Sequence, residues 1–501
     1  MVLSAALQGI EVKFIRVEAD ISVGLPMFHM VGYAAAELKE AKERIKTAIR
    51  NAGFKMPAMK TVVNLFPADI RKKGAGFDLP IAIALLEASE ILSQNKFRST
   101  VVVGELSLTG RVEKIKGILP IVEAAKIKGY KRCIIPEENY DEARIIDGIE
   151  LLPIGNLNEI MNIENKKREY LHDVKETKEK SYIKDFSEIQ GQEMAKRAAM
   201  IAVSGGHNML LIGPPGTGKT MIAERTATIL PEMTLEKKLE ISKIYSISGL
   251  LEKRALITTR PFRTIYPTIT KAALLGGGSY PAPGEISLAH EGILFLDEIA
   301  EFKEGILDSL RKPLEEKKIQ ITRNKGIYTF PSSFILVAAM NPCPCGYYPD
   351  YSKCICTPSQ IHHYLSRVSQ PFLDRLDICA DVPPVEYQEL IKTTKSKTSK
   401  EIRVVIEKAR AIQAERFHEK PMELNTDMRR EEIEKYCKLD KEGRQMMESA
   451  FQRMNLSARA YHKVLKVART IADMEEEEMI KVTHLSEALG YRMMNKKYWG
   501  K

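Results

Sequence analysis

The sequence of 501 residues contains no long hydrophobic run. Its longest apolar stretches, such as FILVAAM after Ser333, are far shorter than the ~20 residues that a membrane-spanning helix needs. The first residues, MVLSAALQGIEVKFIRVEAD, also lack a basic segment ahead of an apolar core, which is the pattern of a signal peptide. Both absences predict a cytoplasmic protein that has no contact with a membrane.

Cysteine is scarce, and four of its seven residues fall between positions 343 and 356. An odd number with such a cluster argues against a disulfide framework and favours a reducing compartment with a metal site. Solenoid-like repeats are absent as well. The share of 44% hydrophobic and 28% charged residues is typical of globular domains, and the length suggests about two to four of them.

Acidic residues are outnumbered by basic ones, with 66 Asp and Glu against 76 Lys and Arg. The resulting net charge of +10 favours a polyanionic partner, and nucleic acid is the first candidate. Many equally basic proteins bind no nucleic acid, so this observation needs support from motifs.

The chain divides into four segments by composition and periodicity. Residues 1–164 alternate short apolar strands with amphipathic helices, which predicts a mixed α/β domain. Residues 165–185 are dominated by charge, and we interpret them as a linker. Residues 186–384 are again of α/β type, and residues 385–501 have the three- and four-residue apolar spacing that predicts a helical domain.

A phosphate-binding loop is the strongest motif in the chain. The apolar strand 209–212 leads into the pattern G-x-x-x-x-G-K-[ST], and a helix follows. Glycines let the backbone N–H groups turn towards phosphates, and the helix N-terminus adds partial positive charge. We expect Lys219 to contact the β- and γ-phosphates of ATP and Thr220 to bind Mg²⁺. The residues of this loop are Gly213, Pro214, Pro215, Gly216, Thr217, Gly218, Lys219 and Thr220.

Paired acids follow a second apolar strand, 293–296, some 80 residues after the loop. We expect Asp297 to hold Mg²⁺ through water and Glu298 to polarise the attacking water. Such pairs are common helix caps elsewhere, but their position after a phosphate loop favours the functional interpretation.

A third apolar strand ends at Asn341, and the order of these motifs resembles that of AAA+ ATPases, in which this asparagine is the sensor 1 residue. The segment QPFLDRLDIC resembles the arginine-finger segment of the MCM and magnesium-chelatase branch, which implies a finger at Arg375. The segment LSARAYHKVLKVARTIADM resembles the sensor 2 helix of that branch, which implies that its arginine is Arg459. The alternative for either residue is a surface arginine paired with a nearby acid, and Asp374 and Asp377 are adjacent to Arg375.

An arginine finger has a consequence for assembly. If Arg375 acts on a neighbouring subunit, head-to-tail contacts must close into a ring, for which the resemblance implies a homo-hexamer. A trans arginine contributes about 10³–10⁵ in rate, so an isolated monomer should hydrolyse ATP poorly.

The whole chain resembles one family of ATPases. The stretches ALLGGGSYPAPGEISLAHEGILFLDEIAEF at 273–302, AAMNPCPCGY, and NLFPADIRKKGAGFDLPIA are similar to magnesium-chelatase-like ATPases of the YifB/ComM type. The resemblance implies a motor that uses ATP and Mg²⁺; ComM-type members are hexameric branch-migration helicases in natural transformation. It therefore implies branched or single-stranded DNA as a sequence-independent partner. The chain departs from the family at 261–268, where PFRTIYPT replaces PFR-x-P-H-H-T and puts any role of the paired histidines in doubt.

The N-terminal segment also resembles the proteolytic domain of Lon-type proteases, which implies an α+β domain of the ribosomal S5 domain 2-like fold. Those proteases use a serine activated by a lysine. The alignment puts the serine position at Gly76 and the lysine position near Ile121, and neither residue can act as nucleophile or base. We therefore predict a non-catalytic domain used for assembly or DNA contact.

A chelatase subunit that drives metal insertion into a porphyrin is another alternative. Dedicated chelatase ATPase subunits lack a Lon-like N-terminal domain, and this sequence has no D-x-S-x-S pattern. Stimulation of the ATPase by DNA rather than by porphyrin and partner subunits would separate the two functions.

The loop 342–357 contains two C-x-C pairs with turn-forming Pro344 and Gly346 between and beside them. Four thiolates suit tetrahedral Zn²⁺ at ~2.3 Å, although free thiols and an iron–sulfur cluster stay open. The remaining cysteines, Cys133, Cys379 and Cys437, are isolated and should be buried as small hydrophobic residues. The expected zinc ligands are Cys343, Cys345, Cys354 and Cys356.

Residues 317–334 alternate apolar and polar side chains around a turn at 324–326, which predicts a β-hairpin. In related helicases a hairpin at this place lines the pore of the ring, so Arg323 and Lys325 at its tip are candidates for contacts with DNA phosphates. The alternative is an ordinary solvated turn. A second candidate is the segment around Arg260, Arg263 and Lys271.

Overall fold

The structure is a computed structural model. It describes residues 1–31, 36–68, 70, 75–94, 96–163, 184–251, 256–278, 280–323, 326–387, 389, 396–418, 420 and 422–499. Most of the predicted linker 165–185 and the candidate DNA contact Lys325 lie outside the described residues.

The N-terminal part is built around a mixed sheet. Its strands are β1 (Val2–Gln8), β2 (Glu11–Ser22), β3 (Phe28–Val31), β4 (Lys60–Phe66), β5 (Thr100–Val102), β6 (Glu105–Leu106), β7 (Val112–Glu113), β8 (Arg132–Pro136) and β9 (Glu150–Ile154). Its helices are α1 (Ala36–Asn51), α2 (Asp78–Ala88), α3 (Ile118–Ile127) and α4 (Tyr140–Ala143).

Seven of these strands form one sheet in the order β3-β4-β2-β1-β5-β8-β9, and β6 and β7 form a separate antiparallel pair. In β2 the apolar side chains of Ile15 and Val17 are buried, whereas Arg16 and Glu18, which each follow one of them, are exposed. This alternation is what a half-buried strand requires. The apolar helix α2 is buried along nearly its whole length and packs on β1 and β2.

The central part contains a parallel sheet. Its strands are β10 (Met209–Ile212), β11 (Phe262–Ile265), β12 (Gly276–Gly277), β13 (Ala282–Pro283), β14 (Ile293–Leu296), β15 (Lys318–Arg323), β16 (Gly326–Pro331), β17 (Ile335–Met340) and β18 (Ile378–Asp381). Its helices are α5 (Glu193–Gly205), α6 (Lys219–Thr226), α7 (Leu235–Ser248), α8 (Lys271–Leu275), α9 (Glu285–Leu288), α10 (Ile306–Ser309), α11 (Arg311–Glu316), α12 (Pro358–Ser366) and α13 (Gln370–Leu373).

The parallel sheet has the order β11-β14-β17-β10-β18. Every residue of β10, β14 and β17 is buried, because a parallel sheet is covered on both faces and its strands are continuously apolar. This arrangement fits the predicted AAA+ α/β fold. Since the strands are parallel, all their carboxyl ends lie at one edge of the sheet, where the sequence motifs also end.

The C-terminal part is helical, as the spacing predicted. Its helices are α14 (Ser399–Arg416), α15 (Arg430–Tyr436), α16 (Lys441–Arg453), α17 (Ala458–Met474) and α18 (Val482–Trp499). Apolar side chains of α14 and α17 share one hydrophobic cluster with α5 of the central part, including Ala202, Ile406 and Val464. No described helix has the length and apolar character needed to cross a membrane.

The N-terminal part contacts the central part through α3 and through the turn between β1 and β2. Helix α3 faces α7, where Lys243 Nζ lies 2.8 Å from Glu123 Oε2 and the Gly117 N–H donates to the Ser246 carbonyl oxygen at 3.1 Å. The turn between β1 and β2 contacts the hairpin β15–β16, because the Ile10 N–H donates to the Thr329 carbonyl oxygen at 3.3 Å. The second contact connects the N-terminal sheet directly to the candidate DNA-binding hairpin.

Candidate nucleotide site and cysteine cluster

The phosphate loop joins the carboxyl end of β10 to the start of α6. Gly216 and Gly218 have φ angles of +77° and +89°, in the left-handed region that favours glycine. A Cβ atom on Gly213 would lie 2.1 Å from the Val382 carbonyl oxygen, so no larger residue fits there. The glycines of the motif are therefore required by the backbone path itself.

Lys219 is the cation of this loop. Its ammonium donates to the carbonyl oxygens of Gly213 at 2.7 Å and Pro214 at 2.8 Å, and to Asn341 Oδ1 at 3.0 Å. Burial lowers the pKa of Lys219 to about 8, although the nearby Asp297 and Glu298 carboxylates oppose the shift. A partly desolvated ammonium whose hydrogen bonds are to neutral oxygens is suited to receive a phosphate.

The two acids lie at the end of β14, beside the loop. The Thr220 hydroxyl donates to Asp297 Oδ2 at 3.2 Å, and the Glu298 N–H donates to Asp297 Oδ1 at 3.0 Å. Glu298 has a φ of +53° and its side chain is exposed. The hydroxyl and carboxylate oxygens of Thr220 and Asp297 are ligands of the type that Mg²⁺ prefers. The structure thus brings Lys219, Thr220, Asp297 and Asn341 together.

Gln192 also contacts this site, although no sequence pattern pointed to it. Its Nε2 donates to the Thr217 carbonyl oxygen at 3.3 Å and to the Pro383 carbonyl oxygen at 2.6 Å, and its φ is +59°. Its buried Oε1 has no hydrogen-bond partner among the described residues. The contact with Pro383 spans 191 residues of sequence, which explains why local reasoning missed it.

Arg375 and Arg459 are not at the nucleotide site of their own chain. Arg375 precedes β18, and its carbonyl oxygen accepts from Nδ2 of Asn208, the residue before β10, at 3.2 Å. Since β10 and β18 are parallel and Lys219 follows the carboxyl end of β10, Arg375 and Lys219 lie at opposite edges of the sheet. The four residues of β10 separate the two edges by about 13 Å, at ~3.3 Å per residue.

One acid holds both arginines. Arg375 Nη2 donates to Glu315 Oε1 at 2.9 Å, and Arg459 Nη2 donates to the same oxygen. Arg375 Nη1 also donates to the Pro371 carbonyl oxygen at 2.6 Å. The acid that pairs with Arg375 is therefore Glu315, and not the adjacent Asp374 or Asp377. Asp377 instead lies 2.7 Å from the ammonium of Lys463, on the same helix as Arg459.

Three family descriptions match successive parts of the chain. "Subunit ChlI of Mg-chelatase" matches residues 17–139, "Magnesium chelatase, subunit ChlI" matches residues 185–390, and "Magnesium chelatase, subunit ChlI C-terminal" matches residues 396–492. The chain is also 41% identical to "Competence protein ComM" of Haemophilus influenzae, over 99% of this chain and 97% of that protein.

The chain belongs to the YifB/ComM-type magnesium-chelatase-like family. A second relative, "Uncharacterized protein YifB" of Escherichia coli, is 40% identical over 99% of this chain and 97% of its own length. "Lon protease 2" of Bacillus subtilis is 32% identical over 126 residues, which is 25% of this chain and 22% of that protein. Membership of this family makes the protein an AAA+ ATPase that binds ATP and Mg²⁺.

The Lon-like positions of this YifB/ComM-type chain contain no dyad. Gly76 lies in the turn before α2, and Ile121 is 3% exposed within α3. Neither side chain can supply the hydroxyl nucleophile or the amine base that a Ser–Lys mechanism needs.

The four clustered cysteines converge in space. Their sulfur atoms all lie within 4.8 Å of one another, and Cys343 Sγ is 3.4 Å from Cys345 Sγ and 3.8 Å from Cys354 Sγ. Two sulfurs at ~2.3 Å from one tetrahedral ion would lie about 3.8 Å apart, so the spacing fits zinc. The Gly346 and Tyr348 N–H groups donate to Cys343 Sγ at 3.2 and 3.4 Å.

The environment of these thiols differs from one to the next. Loss of solvation raises the pKa of Cys354 to about 12, and the neighbouring Cys345 and Cys343 add to that shift. Loss of solvation also opposes ionisation of Cys345, but N–H donors of Tyr347 and Ile355 outweigh it and lower its pKa to about 6. Four thiolates this close need a cation to balance their charge. The remaining cysteines, Cys133, Cys379 and Cys437, are buried as predicted.

The cysteine loop also contacts the phosphate loop. Gly346 has a φ of +88°, and a Cβ atom there would lie 2.4 Å from Pro215 Cδ. The cluster begins two residues after Asn341, which binds Lys219. The cysteine cluster is therefore packed against the nucleotide site from the sensor 1 side.

The predicted hairpin is present as β15 and β16, paired in antiparallel register from Lys318↔Pro331 to Arg323↔Gly326. Arg323 is exposed at the end of β15, and its Nε donates to the Gly278 carbonyl oxygen at 3.4 Å. Gly278 belongs to the turn of the small hairpin β12–β13. Arg323 is accordingly positioned at the tip, as the sequence indicated, with a second hairpin beside it.

Two arginines of the second candidate for DNA contact have partners within the chain. The Arg260 side chain is 9% exposed and donates to the carbonyl oxygens of Pro231 at 2.7 Å and Glu291 at 2.6 Å. Arg263 forms a bidentate salt bridge with Glu285, with hydrogen bonds of 2.6 and 2.8 Å. Both guanidinium groups have structural partners, whereas Lys271 is exposed, and contact of this segment with DNA stays a prediction.

Proposed function

We propose that this chain is the subunit of an ATP-driven ring motor, a homo-hexamer that moves along or remodels DNA. Its best-supported activity is branch migration or translocation on branched or single-stranded DNA, in natural transformation or recombination. The observation that carries the proposal is the placement of Arg375 at the sheet edge opposite Lys219. An arginine there can reach a nucleotide only on another subunit.

Within one subunit, the chemistry of ATP hydrolysis is divided among the residues at the carboxyl edge. Lys219 binds the β- and γ-phosphates, and the phosphate-loop N–H groups surround them. Bound Mg²⁺ supplies charge neutralisation at the phosphates, and Thr220 and Asp297 would hold it. Glu298 orients and polarises the attacking water, and Asn341 positions the γ-phosphate end of the site. These roles are assigned from motif and geometry together.

The neighbouring subunit completes the site. Its Arg375 and Arg459 approach the γ-phosphate and stabilise the charge of the transition state. The shared Glu315 supports this assignment, because it holds the two guanidinium groups side by side on one face. Each subunit would therefore contact one neighbour with its arginines and the other neighbour with its nucleotide site. Such an interface is heterologous, and heterologous contacts between identical subunits form a ring when the rotation closes.

DNA is the proposed substrate of the motor for three reasons. The net charge is +10, an exposed hairpin ends in Arg323, and the chain is similar over its length to a competence protein. Contacts from such a hairpin would be to phosphates, which makes binding independent of sequence and sensitive to salt. In the ring the hairpins would face the central channel, where the ATP cycle can move them.

The four cysteines are proposed as a structural zinc site. The spacing of the sulfurs and the N–H groups that donate to Cys343 support zinc over free thiols. The site would stiffen the loop 342–357, between Asn341 and the segment with Arg375.

The domain organisation is proposed as follows. Residues 1–164 form a non-catalytic Lon-like domain, residues 186–384 form the ATPase core, and residues 385–501 form a helical lid. The protein would act in the cytoplasm.

A chelatase-like remodelling ATPase, acting on a protein or metal-insertion partner, is the second candidate. The family descriptions that match the chain are those of a magnesium chelatase subunit, and this favours it specifically. ATPase assays with DNA and, separately, with a porphyrin and chelatase partner subunits distinguish the candidates. Stimulation by DNA at low salt supports the motor; its absence there, with stimulation by the porphyrin system, supports the alternative.

Subunit mixing tests the trans arginine. Lys219→Ala and Arg375→Ala variants should each be inactive alone, yet regain ATPase activity when mixed. In a mixed ring, the intact phosphate loop of the Arg375→Ala subunit meets the intact arginine of the Lys219→Ala subunit. The matched control is Lys219→Ala mixed with the double variant Lys219→Ala/Arg375→Ala, which contains no intact loop. Failure of the first mixture to recover activity, with ring formation verified, would contradict the proposal.

A further inference from the structure

We propose that Glu315 is a positioning residue that holds Arg375 and Arg459 as one phosphate-binding unit for the neighbouring subunit's nucleotide. This inference rests on the proposed function, because it takes both arginines to act in trans. Glu315 belongs to none of the motifs of the sequence. It lies in α11, between the paired acids and the hairpin.

The geometry that carries the inference is a single shared oxygen atom. Glu315 Oε1 accepts hydrogen bonds from Nη2 of Arg375, at 2.9 Å, and from Nη2 of Arg459. Arg375 comes from the segment before β18, whereas Arg459 lies in the first turn of α17, which starts after its N-cap Ser457. The carboxylate therefore fixes a residue of the core and a residue of the C-terminal helices at one point.

The charges of Glu315, Arg375 and Arg459 do not cancel. Two guanidinium groups share one carboxylate, so the triad has a surplus of one positive charge. Burial and the nearby Arg459 both lower the pKa of Arg375, which means that its charge is not fully compensated. Its Nε has no hydrogen-bond partner among the described residues. An approaching anion with more than one negative charge, such as a terminal phosphate, is the ligand that such a triad would attract.

The triad is accessible to such a ligand. The side chains of Glu315 and Arg459 are 47% and 45% exposed, whereas that of Arg375 is 10% exposed. They line a cleft of about 880 Å³ between the central sheet and the C-terminal helices, together with Lys463 and Lys466. Burial therefore holds the side chain of Arg375 in place, whereas the position of the more exposed Arg459 side chain depends on its contact with Glu315.

Glu315 has two opposite effects on the neighbouring phosphate. It aligns the arginines, which raises the rate of the chemical step, and its negative charge repels the phosphate, which weakens ATP binding. Glu315→Gln removes the repulsion and loosens the alignment. We expect KM for ATP to fall about threefold to tenfold, as for loss of one repulsive charge in a partly solvated site. We expect kcat to fall about tenfold or more, because small misplacements of catalytic groups are costly.

Three further variants test whether the charge or the position of the Glu315 carboxylate matters. Glu315→Asp keeps the charge but shortens the side chain, so it should lower kcat and leave KM near the wild-type value. Glu316→Gln is the matched control, because Glu316 is the next residue and its carboxylate lies 3.7 Å from the Lys312 ammonium. It should change neither constant. In an Arg459→Ala background, Glu315→Gln should no longer change kcat, since the arginine whose position depends on Glu315 is missing.

Steady-state ATPase kinetics of these variants, with thermal unfolding and sedimentation to verify folding and assembly, test the inference. A fall in both KM and kcat for Glu315→Gln, with an unchanged Glu316→Gln, is the expected result. A rise in KM together with a lower unfolding temperature would mean a merely structural role and would overturn the inference. Normal kinetics of Glu315→Gln, while Arg375→Ala is impaired, would also overturn it. Normal kinetics of Arg375→Ala and Arg459→Ala would instead contradict the proposed function.

Discussion

The Lys219 ammonium donates a hydrogen bond of 3.0 Å to Asn341 Oδ1, and this contact joins the phosphate loop to the end of the neighbouring strand β17. The two residues are 122 positions apart in the sequence. The same ammonium donates to two carbonyl oxygens of its own loop. A bound nucleotide would replace these neutral oxygens by phosphate oxygens, and Asn341 would be free to turn towards the γ-phosphate.

Loss of the lysine should weaken nucleotide binding strongly. In Lys219→Ala, the loop loses its ammonium, and a charge-assisted hydrogen bond contributes about 1.5–3 kcal/mol. We expect ATP affinity to fall by about 10- to 100-fold. Titration with a fluorescent ATP analogue measures the change, and wild-type affinity in a folded variant would contradict the assignment.

Loss of the Glu298 carboxylate should leave ATP binding intact and slow ATP hydrolysis. Glu298→Gln keeps the size of the side chain but cannot act as a base, so ATP should still bind while kcat falls by about 10²–10⁴. Glu301→Gln, at the end of the 3₁₀ turn Ile299–Glu301 that directly follows Glu298, is the matched control. If Glu298→Gln hydrolyses ATP at the wild-type rate, Glu298 is not the general base.

ATP affinity should depend on pH through Lys219. The pKa of this lysine is lowered from 10.5 to about 8, with burial as the main cause, so its charge is lost as the pH rises through 8. Above that value the Kd for ATP should rise by up to about tenfold per pH unit. The unfolded chain binds the extra proton between about pH 8 and 10.5, so this group makes the nucleotide-free protein more stable as pH increases there.

Binding titrations at pH 7, 8 and 9 with saturating Mg²⁺ measure this dependence. Lys219→Arg is the control, because an arginine keeps its charge throughout the range and should bind ATP more weakly but without the pH dependence. A wild-type Kd that stays constant from pH 7 to 9 is the result that would exclude a lowered pKa in the free protein.

Zinc should be present at one ion per chain. Elemental analysis of protein purified without chelators tests this, and Cys354→Ser or Cys356→Ser should each lower the content because a tetrahedral site loses a ligand. Cys437→Ser, at a buried cysteine outside the cluster, is the control for general effects of the substitution. Folded, active protein with zinc content near zero would end this proposal.

Neutralising the hairpin tip should weaken DNA binding without affecting basal ATP hydrolysis. For Arg323→Ala/Lys325→Ala we expect a lower affinity for single-stranded DNA, and a salt slope reduced by about 0.7 per lost phosphate contact. Strand displacement should stop. Lys318→Ala removes a charge at the base of the same hairpin and serves as the control. Unchanged affinity and slope in the double variant would mean that the tip is a solvated turn.

Much of the nucleotide site was predictable because its motifs are local. The apolar strands β10, β14 and β17, and the polar residues that follow them, are each contained in fewer than a dozen consecutive residues. A parallel sheet then brings its carboxyl ends to one edge, so Lys219, Asp297 and Asn341 could be expected to meet. The hairpin β15–β16 was predictable for the same reason, since its alternation and turn are adjacent in sequence.

By itself, the sequence determined the phosphate loop, the strands that lead into the site, and the helices of the C-terminal part, because periodicity and glycine positions constrain the backbone locally. Only the tertiary structure decided that Arg375 and Arg459 lie away from Lys219 and share Glu315, 144 residues before Arg459. It likewise decided that Arg260 and Arg263 are paired internally, and that Gln192 contacts the phosphate loop. The physical reason is that such contacts depend on strand order and on how helices pack across the sheet, and neither leaves a local pattern in the chain.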